Sequence, residues 1–303
     1  MAKMSVVFSL LVSAAFACGV HDPSVLGELY PDKQFPDDHI QYTPSNPHHR
    51  GWLQYLTKSL YGTRTLALTF DDGPHPINTL KLLDILDKYH VKATFFEVTE
   101  ISERFPQISA EVVRRGHVLA SHDWRHDNSN SETESEFEQG LEKSLLVIRH
   151  IYQKREAYYR FPYGAYARGS GGYHHFNVMK KVSQKLFGEN CINFAFWDID
   201  TSDWVGDMTS DNIVETLTSN LEGGRAWQFK TVTRGGRTTY EKEQYQIDDP
   251  SDGGVVLMHD IHSRTIEAVE KFLATSIARG TKFVTLPEIE EFAYNDLVCQ
   301  LLP

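Results

Sequence analysis

From residue 62 onward the chain alternates short apolar runs with amphipathic segments, and this alternation constrains its fold more than any other feature. Runs at 66–70, 93–98, 117–120, 158–161, 193–197, 255–258 and 282–285 read as seven short strands. Between and after them, helices are expected at 77–89, 108–115, 134–152, 176–187, 212–221, 265–279 and 287–294. In the longest, Phe137, Leu141, Leu145 and Ile148 recur at helical spacing and make one apolar face. Strand and helix in turn are the pattern of a parallel α/β fold. Seven strands fall one short of an eightfold barrel, and a doubly wound open sheet has the same rhythm. In both architectures reactive side chains collect beyond the carboxyl ends of the strands.

The rhythm fails in two places. Residues 222–252 carry two polar-apolar segments, 226–233 and 238–247, around Arg234-Gly235-Gly236-Arg237, which reads as a long β-hairpin inserted before the 255–258 strand. Before residue 62, Pro31, Pro36, Pro44 and Pro47 interrupt a segment without periodicity. The expected organisation is a signal peptide at 1–17, an N-terminal extension at 18–62 and one domain at 63–303. The leader follows from Lys3, an apolar stretch too short to span a bilayer, and small residues Ala15 and Ala17 flanking Phe16 before Cys18. The protein is therefore expected outside the cytoplasm, secreted or in the periplasm or cell envelope, touching membrane only through a lipid on Cys18. Of the other two cysteines, Cys191 and Cys299, one reading pairs them and another leaves both as core thiols. A net charge of −11 argues against nucleic acid and strongly acidic polymers as partners, whereas a neutral polysaccharide remains compatible.

Five polar clusters stand at the expected strand ends. Asp71 and Asp72 follow the first strand and precede a Gly-Pro turn; alone, such a pair is as often a turn former as a site. His122 and His126 follow the third strand, four residues apart, a spacing that on a helical turn puts both imidazoles on one face. Two His and one Asp make a catalytic metal set with open positions. Arg160-Phe161-Pro162-Tyr163-Gly164 ends the fourth strand in a tight loop whose N–H groups suit an oxyanion. Asp200-Thr201-Ser202-Asp203-Trp204 places an aromatic beside carboxylates, with helix capping by Asp203 as the plainer reading. His259 ends an apolar strand in Leu257-Met258-His259-Asp260.

Together these clusters resemble the NodB-homology polysaccharide deacetylases, carbohydrate esterase family 4. Thr69-Phe70-Asp71-Asp72-Gly73-Pro74, Lys92-Ala93-Thr94-Phe95-Phe96, Arg160 to Gly164, Asp200 to Trp204 and Leu257-Met258-His259 match that family's motifs in order, across 65–294. The resemblance implies a distorted (β/α)7–8 barrel close to a TIM barrel. It implies Asp72, His122 and His126 as ligands of Zn2+ or another divalent transition metal. It implies Asp71 as general base and His259 as general acid, with Arg160 and Asp200 orienting them. Tyr163 is implied as oxyanion donor through its N–H, Trp204 as a groove wall and Leu257 as part of the acetyl-methyl pocket. The implied substrate is an N-acetylated polysaccharide, peptidoglycan or chitin-like, with acetate released; O-acetyl polysaccharide and non-catalytic sugar binding are the alternatives. One departure stands out. Asp123 follows the first histidine where the family has Ser or Thr, so this carboxylate either holds the loop through backbone N–H bonds or approaches the metal itself.

Overall fold

The computed structural model describes residues 57–166, 174–294 and 299–302. The expected signal peptide, Cys18 and nearly all of the 18–62 extension lie outside the described residues. Strand β1 (Thr65–Asp71) is buried along its whole length, as the central strand of a covered parallel sheet must be. Helix α1 (Asn78–Lys88), β2 (Thr94–Glu97), α2 (Thr99–Arg104), α3 (Pro106–Arg114), β3 (Val118–Ser121), α4 (Glu134–Ile151), β4 (Ala157–Tyr159), α5 (His174–Phe187) and β5 (Ile192–Phe194) follow in order. Then come β6 (Ile199–Asp200), α6 (Ser210–Glu222), the ribbon β7 (Gly224–Arg234) and β8 (Arg237–Ile247), β9 (Gly253–His259), α7 (Ser263–Ser276) and β10 (Lys282–Phe283).

The main sheet runs β5-β4-β3-β2-β1-β9-β6, with β10 on the amino end of β1, and every pairing is parallel. The sheet curls as an incomplete barrel. Its edge strands β5 and β6 do not pair with each other, and residues 195–198 carry the chain between them. Bonds from Ala195 N to Tyr159 O and from Asp198 N to Val255 O tack that crossing to both sides. Helices pack outside on apolar stripes. In α4 the buried stripe is Phe137, Leu141, Ser144, Leu145 and Ile148, and a Thr133–Glu136 capping box starts the helix. Thr209 and Asn212 form the corresponding box on α6.

Two local expectations are corrected. Residues 287–294 form two short 3₁₀ turns, Leu286–Glu288 and Glu290–Phe292, because Ile289 and Ala293 take extended backbone and end each turn. Helix α2 and the short strand β6 are additional elements. The β7–β8 ribbon pairs antiparallel over eleven residue pairs from Gly224↔Ile247 to Arg234↔Arg237. Gly235 and Gly236, at φ 58° and 78°, make the turn that a twisted two-residue hairpin requires. Cys191 and Cys299 are joined in a disulfide that ties the carboxyl-terminal segment beside β5.

Candidate active site

Asp71, His122, Arg160, Asp200 and His259 all lie at or just past the carboxyl ends of β1, β3, β4, β6 and β9, so the parallel sheet gathers on one rim what the sequence scatters over 189 positions (259 minus 71, plus one). Asp71 and Asp72 diverge because backbone geometry separates them. Asp71 still belongs to β1 and points inward, whereas Asp72 takes φ 71°, a left-handed conformation. Asp123, His126, Tyr163 and Ser202 also have positive φ. Strain of this kind persists where surrounding contacts enforce it, and here it clusters around the reactive groups.

The Asp72 turn is held from outside the barrel. His75 N donates to Thr79 Oγ1 at 2.7 Å, and Thr79 Oγ1 donates in turn to Asp260. Asp260 lies so close to Gly73 that a Cβ there would stand 2.6 Å from its carboxylate oxygens, which is why this position must be glycine. Burial pushes the Asp260 carboxyl up to about 8.

Asp72, His122 and His126 bring one ligand atom each to within 4.8 Å of one another. Asp72 Oδ1 stands 3.2 Å from His126 Nε2 and 3.5 Å from His122 Nε2. The donor set fits a divalent cation. His122 Nδ1 is 2.9 Å from the Arg160 carbonyl, which can only accept, so the proton sits on Nδ1 and Nε2 is free as a ligand. Burial favours the neutral imidazole of His122. Asp72 Oδ1 is itself buried without a hydrogen-bond partner, as a metal-facing oxygen would be. Burial pushes the Asp72 carboxyl up, but the neighbouring His126 ring and the charge of His259 outweigh it and hold it below the usual carboxylate range.

His122 and His126 do not share a helical turn as their spacing suggested. Residues 122–128 are irregular, and positive φ at Asp123 and His126 folds both rings to the same side. Asp123 resolves its two alternatives. It is buried, outside the three-ligand cluster, and its Oδ2 accepts the N–H groups of Arg125 at 3.1 Å and Asp127 at 3.2 Å. The carboxylate thus fastens the loop between the two histidines as an Asx-type turn.

Arg160 is fully buried and spans the barrel seam. Its Nε and Nη2 donate to the carbonyls of Ala195 (2.8 Å) and Phe196 (2.7 Å), and its Nη1 donates to Asp71 Oδ1 (2.8 Å) and Thr69 Oγ1 (2.7 Å). The guanidinium lies 4.0 Å over the Phe96 ring. Asp71 keeps its other oxygen free of the arginine, 3.6 Å from His122 Nε2.

Sequence reasoning missed one residue. Asp203, rather than Asp200, contacts His259: its Oδ1 meets His259 Nδ1 at 2.7 Å, and its Oδ2 accepts from His259 N at 2.7 Å and Thr265 Oγ1 at 2.5 Å. Burial alone would lower the His259 pKa, but Asp203 raises it to about 10, with smaller help from Asp72 and Asp71. Asp200 instead caps its own turn through Ser202 N at 2.7 Å, and burial raises its carboxyl to about 6. Two carboxylates in one loop look alike in sequence; the reversal at Ser202, φ 50°, selects which one folds back onto β9.

The remaining expected residues surround this centre. Tyr163 presents a 63%-exposed ring 4.5 Å from His126, on a turn that leaves its N–H without a hydrogen bond among the described residues. Leu257 pairs in register with Thr69 and so faces the barrel interior. Trp204 packs against Phe229 (5.1 Å) and Tyr240 (5.0 Å) of the ribbon.

Comparison with known proteins places the chain among polysaccharide deacetylases. The polysaccharide deacetylase family model matches residues 59–174. A peptidoglycan-N-acetylglucosamine deacetylase of Bacillus cereus is 27% identical over 260 residues, covering 84% of this chain and 77% of that protein. A chitooligosaccharide deacetylase of a Bradyrhizobium species is 34% identical over 164 residues, 54% of this chain and 68% of that protein. The chain spans only 39% of the longer peptidoglycan deacetylases of Bacillus subtilis and Listeria monocytogenes that it matches. A solved peptidoglycan N-acetylglucosamine deacetylase superposes with a TM-score of 0.56 at 25% identity, over 76% of this chain and 89% of that one. The chain belongs to the polysaccharide deacetylase family.

Proposed function

We propose that the protein is an exported, metal-dependent hydrolase that removes N-acetyl groups from N-acetylglucosamine-type residues of a polysaccharide, peptidoglycan or chitin-like, and releases acetate. The observation that carries this reading is the meeting, on one rim, of the Asp72/His122/His126 set with a base at Asp71 and an imidazole at His259. When bound there, Zn2+ or another divalent transition metal supplies Lewis acidity for the acetyl carbonyl and the attacking water.

Asp71 takes the water proton through the oxygen that Arg160 leaves open, and Arg160 orients that carboxylate through its hydrogen bond to the other oxygen. The Tyr163 N–H donates to the developing oxyanion. His259, held protonated by Asp203, donates to the departing amine nitrogen, without which an amide leaves too poorly. Leu257 supplies apolar surface for the acetyl methyl.

Acetate release from N-acetylglucosamine oligomers and from peptidoglycan tests this, with and without chelator and beside Asp71→Asn. Release that requires both metal and Asp71 supports the assignment. No release by a folded, metal-loaded protein, with release from acetylated xylan, would replace it by O-acetyl esterase activity; no release from any of these substrates would leave sugar binding without turnover.

A further inference from the structure

The β7–β8 ribbon has two chemically different faces. Residues of odd number on β7 and even number on β8 share the face that packs at its base on α6. There Arg225 pairs with Glu215, Trp227 Nε1 donates to Glu215, and Lys242 Nζ donates to Asn212. Toward the tip this same face carries Thr231, Thr233, Thr238 and Tyr240, all exposed and none charged. The opposite face of the same stretch holds Lys230, Arg234, Arg237, Glu241 and Glu243. At the tip pairs Thr231↔Tyr240 and Thr233↔Thr238 the first face is free of charged side chains, while the opposite face there is charged.

The neutral face is continuous with the active centre. Phe229 N donates to Ser202 Oγ at 3.1 Å and Lys242 N to Asp207 Oδ1 at 3.0 Å, which dock the ribbon on the loop that carries Asp203. Trp204, the next residue, holds the Tyr240 ring edge-on at 5.0 Å, and Phe229 backs it at 6.0 Å. Tyr240 is thereby fixed from behind while half of it stays open to solvent.

We propose that Tyr240, flanked by the hydroxyls of Thr231, Thr233 and Thr238, is a stacking platform for an uncharged pyranose ring of the substrate chain, outside the sugar that loses its acetyl group. The ring offers a flat apolar surface to the C–H face of the sugar, and the threonines offer donors and acceptors to its hydroxyls. None of these four residues is charged, and Lys242, the next on this face, is turned to Asn212 and the Trp227 ring at the base, so the tip favours a neutral glycan segment over an anionic one. This rests on the polysaccharide deacetylase reading above, and it adds a binding position contributed by the ribbon.

The test uses the full chain with N-acetylglucosamine hexamer and dimer. In Tyr240→Ala the hexamer KM rises about tenfold more than the dimer KM, the loss of one good stacking contact, while Tyr240→Phe keeps the wild-type ratio. Binding of the hexamer, followed by tryptophan fluorescence without turnover, weakens in parallel and changes little from low to high salt. An unchanged hexamer-to-dimer ratio and unchanged binding in Tyr240→Ala overturn the platform, as does steep salt dependence. Equal losses on both oligomers reduce Tyr240 to a structural role and also overturn it. A wild-type protein that releases no acetate yet binds the hexamer through Tyr240 refutes the deacetylase reading and leaves the platform standing.

Discussion

The Asp203–His259 contact permits the sharpest prediction, because its effect is a function of pH. In the native protein the His259 pKa is about 10 against an ordinary 6.5, although burial opposes the charge, so the carboxylate 2.7 Å away dominates. Asp203→Asn removes that charge but keeps an oxygen that can face Nδ1. The His259 pKa is then expected to fall to about 6.5 or lower. Near pH 8, a pKa of about 10 leaves about 99% of the imidazole protonated, whereas a pKa of about 6.5 leaves about 3%. Acetate release should therefore drop about 30-fold near pH 8 and less than about twofold near pH 6. The assay is the rate at saturating metal from about pH 5.5 to 10 for both proteins, with metal binding and thermal melts as controls. A deficit of equal size at every pH would refute the argument, as it would mean that Asp203 acts through loop structure. Linkage gives a second readout. A folded-state pKa raised above its unfolded value stabilises fully below about pH 6.5 and loses that contribution as pH rises toward about 10. Wild-type stability should decline across that window, and Asp203→Asn should flatten the decline.

Other perturbations separate the roles of neighbouring residues. His126→Ala should cut metal affinity and acetate release by more than about a hundredfold without unfolding the chain, as seen by metal titration and circular dichroism. Asp123→Ala should release the N–H groups of Arg125 and Asp127 and weaken metal binding about 10- to 100-fold, whereas Asp123→Ser should recover much of it; equal affinity in all three proteins would show that the loop is held by other contacts. Arg160→Met leaves Asp71 as an unpaired buried carboxylate and should cost about 3–5 kcal/mol in chemical denaturation, with activity lost at all metal concentrations. Replacing Cys191 and Cys299 by Ser opens a covalent link across 108 residues and should lower stability by up to about 4–5 kcal/mol, read as a lower Tm, with the metal site intact.

Much of this molecule was legible in the chain itself, for a definite reason. Strands buried on both faces must be apolar, so 66–70 and 255–258 announce themselves, and a parallel sheet must place polar residues that follow its strands on one rim. That logic reached Asp71, Asp72, His122, Arg160 and His259 without coordinates. A two-residue glycine turn between alternating segments likewise declares the ribbon, since few other sequences permit its positive φ values. What needed tertiary structure was every choice among chemically equivalent groups. His122 and His126 converge through left-handed turns that their spacing did not reveal, because helical and irregular backbones can both bring residues four apart together. Asp203 rather than Asp200 reaches His259 because a reversal at Ser202 decides which carboxylate faces β9. Asp123 binds backbone rather than the ligand cluster for the same kind of reason. Periodicity reports which residues are buried; which of two like charges meets a given partner depends on fractions of an ångström set by contacts between segments distant in sequence.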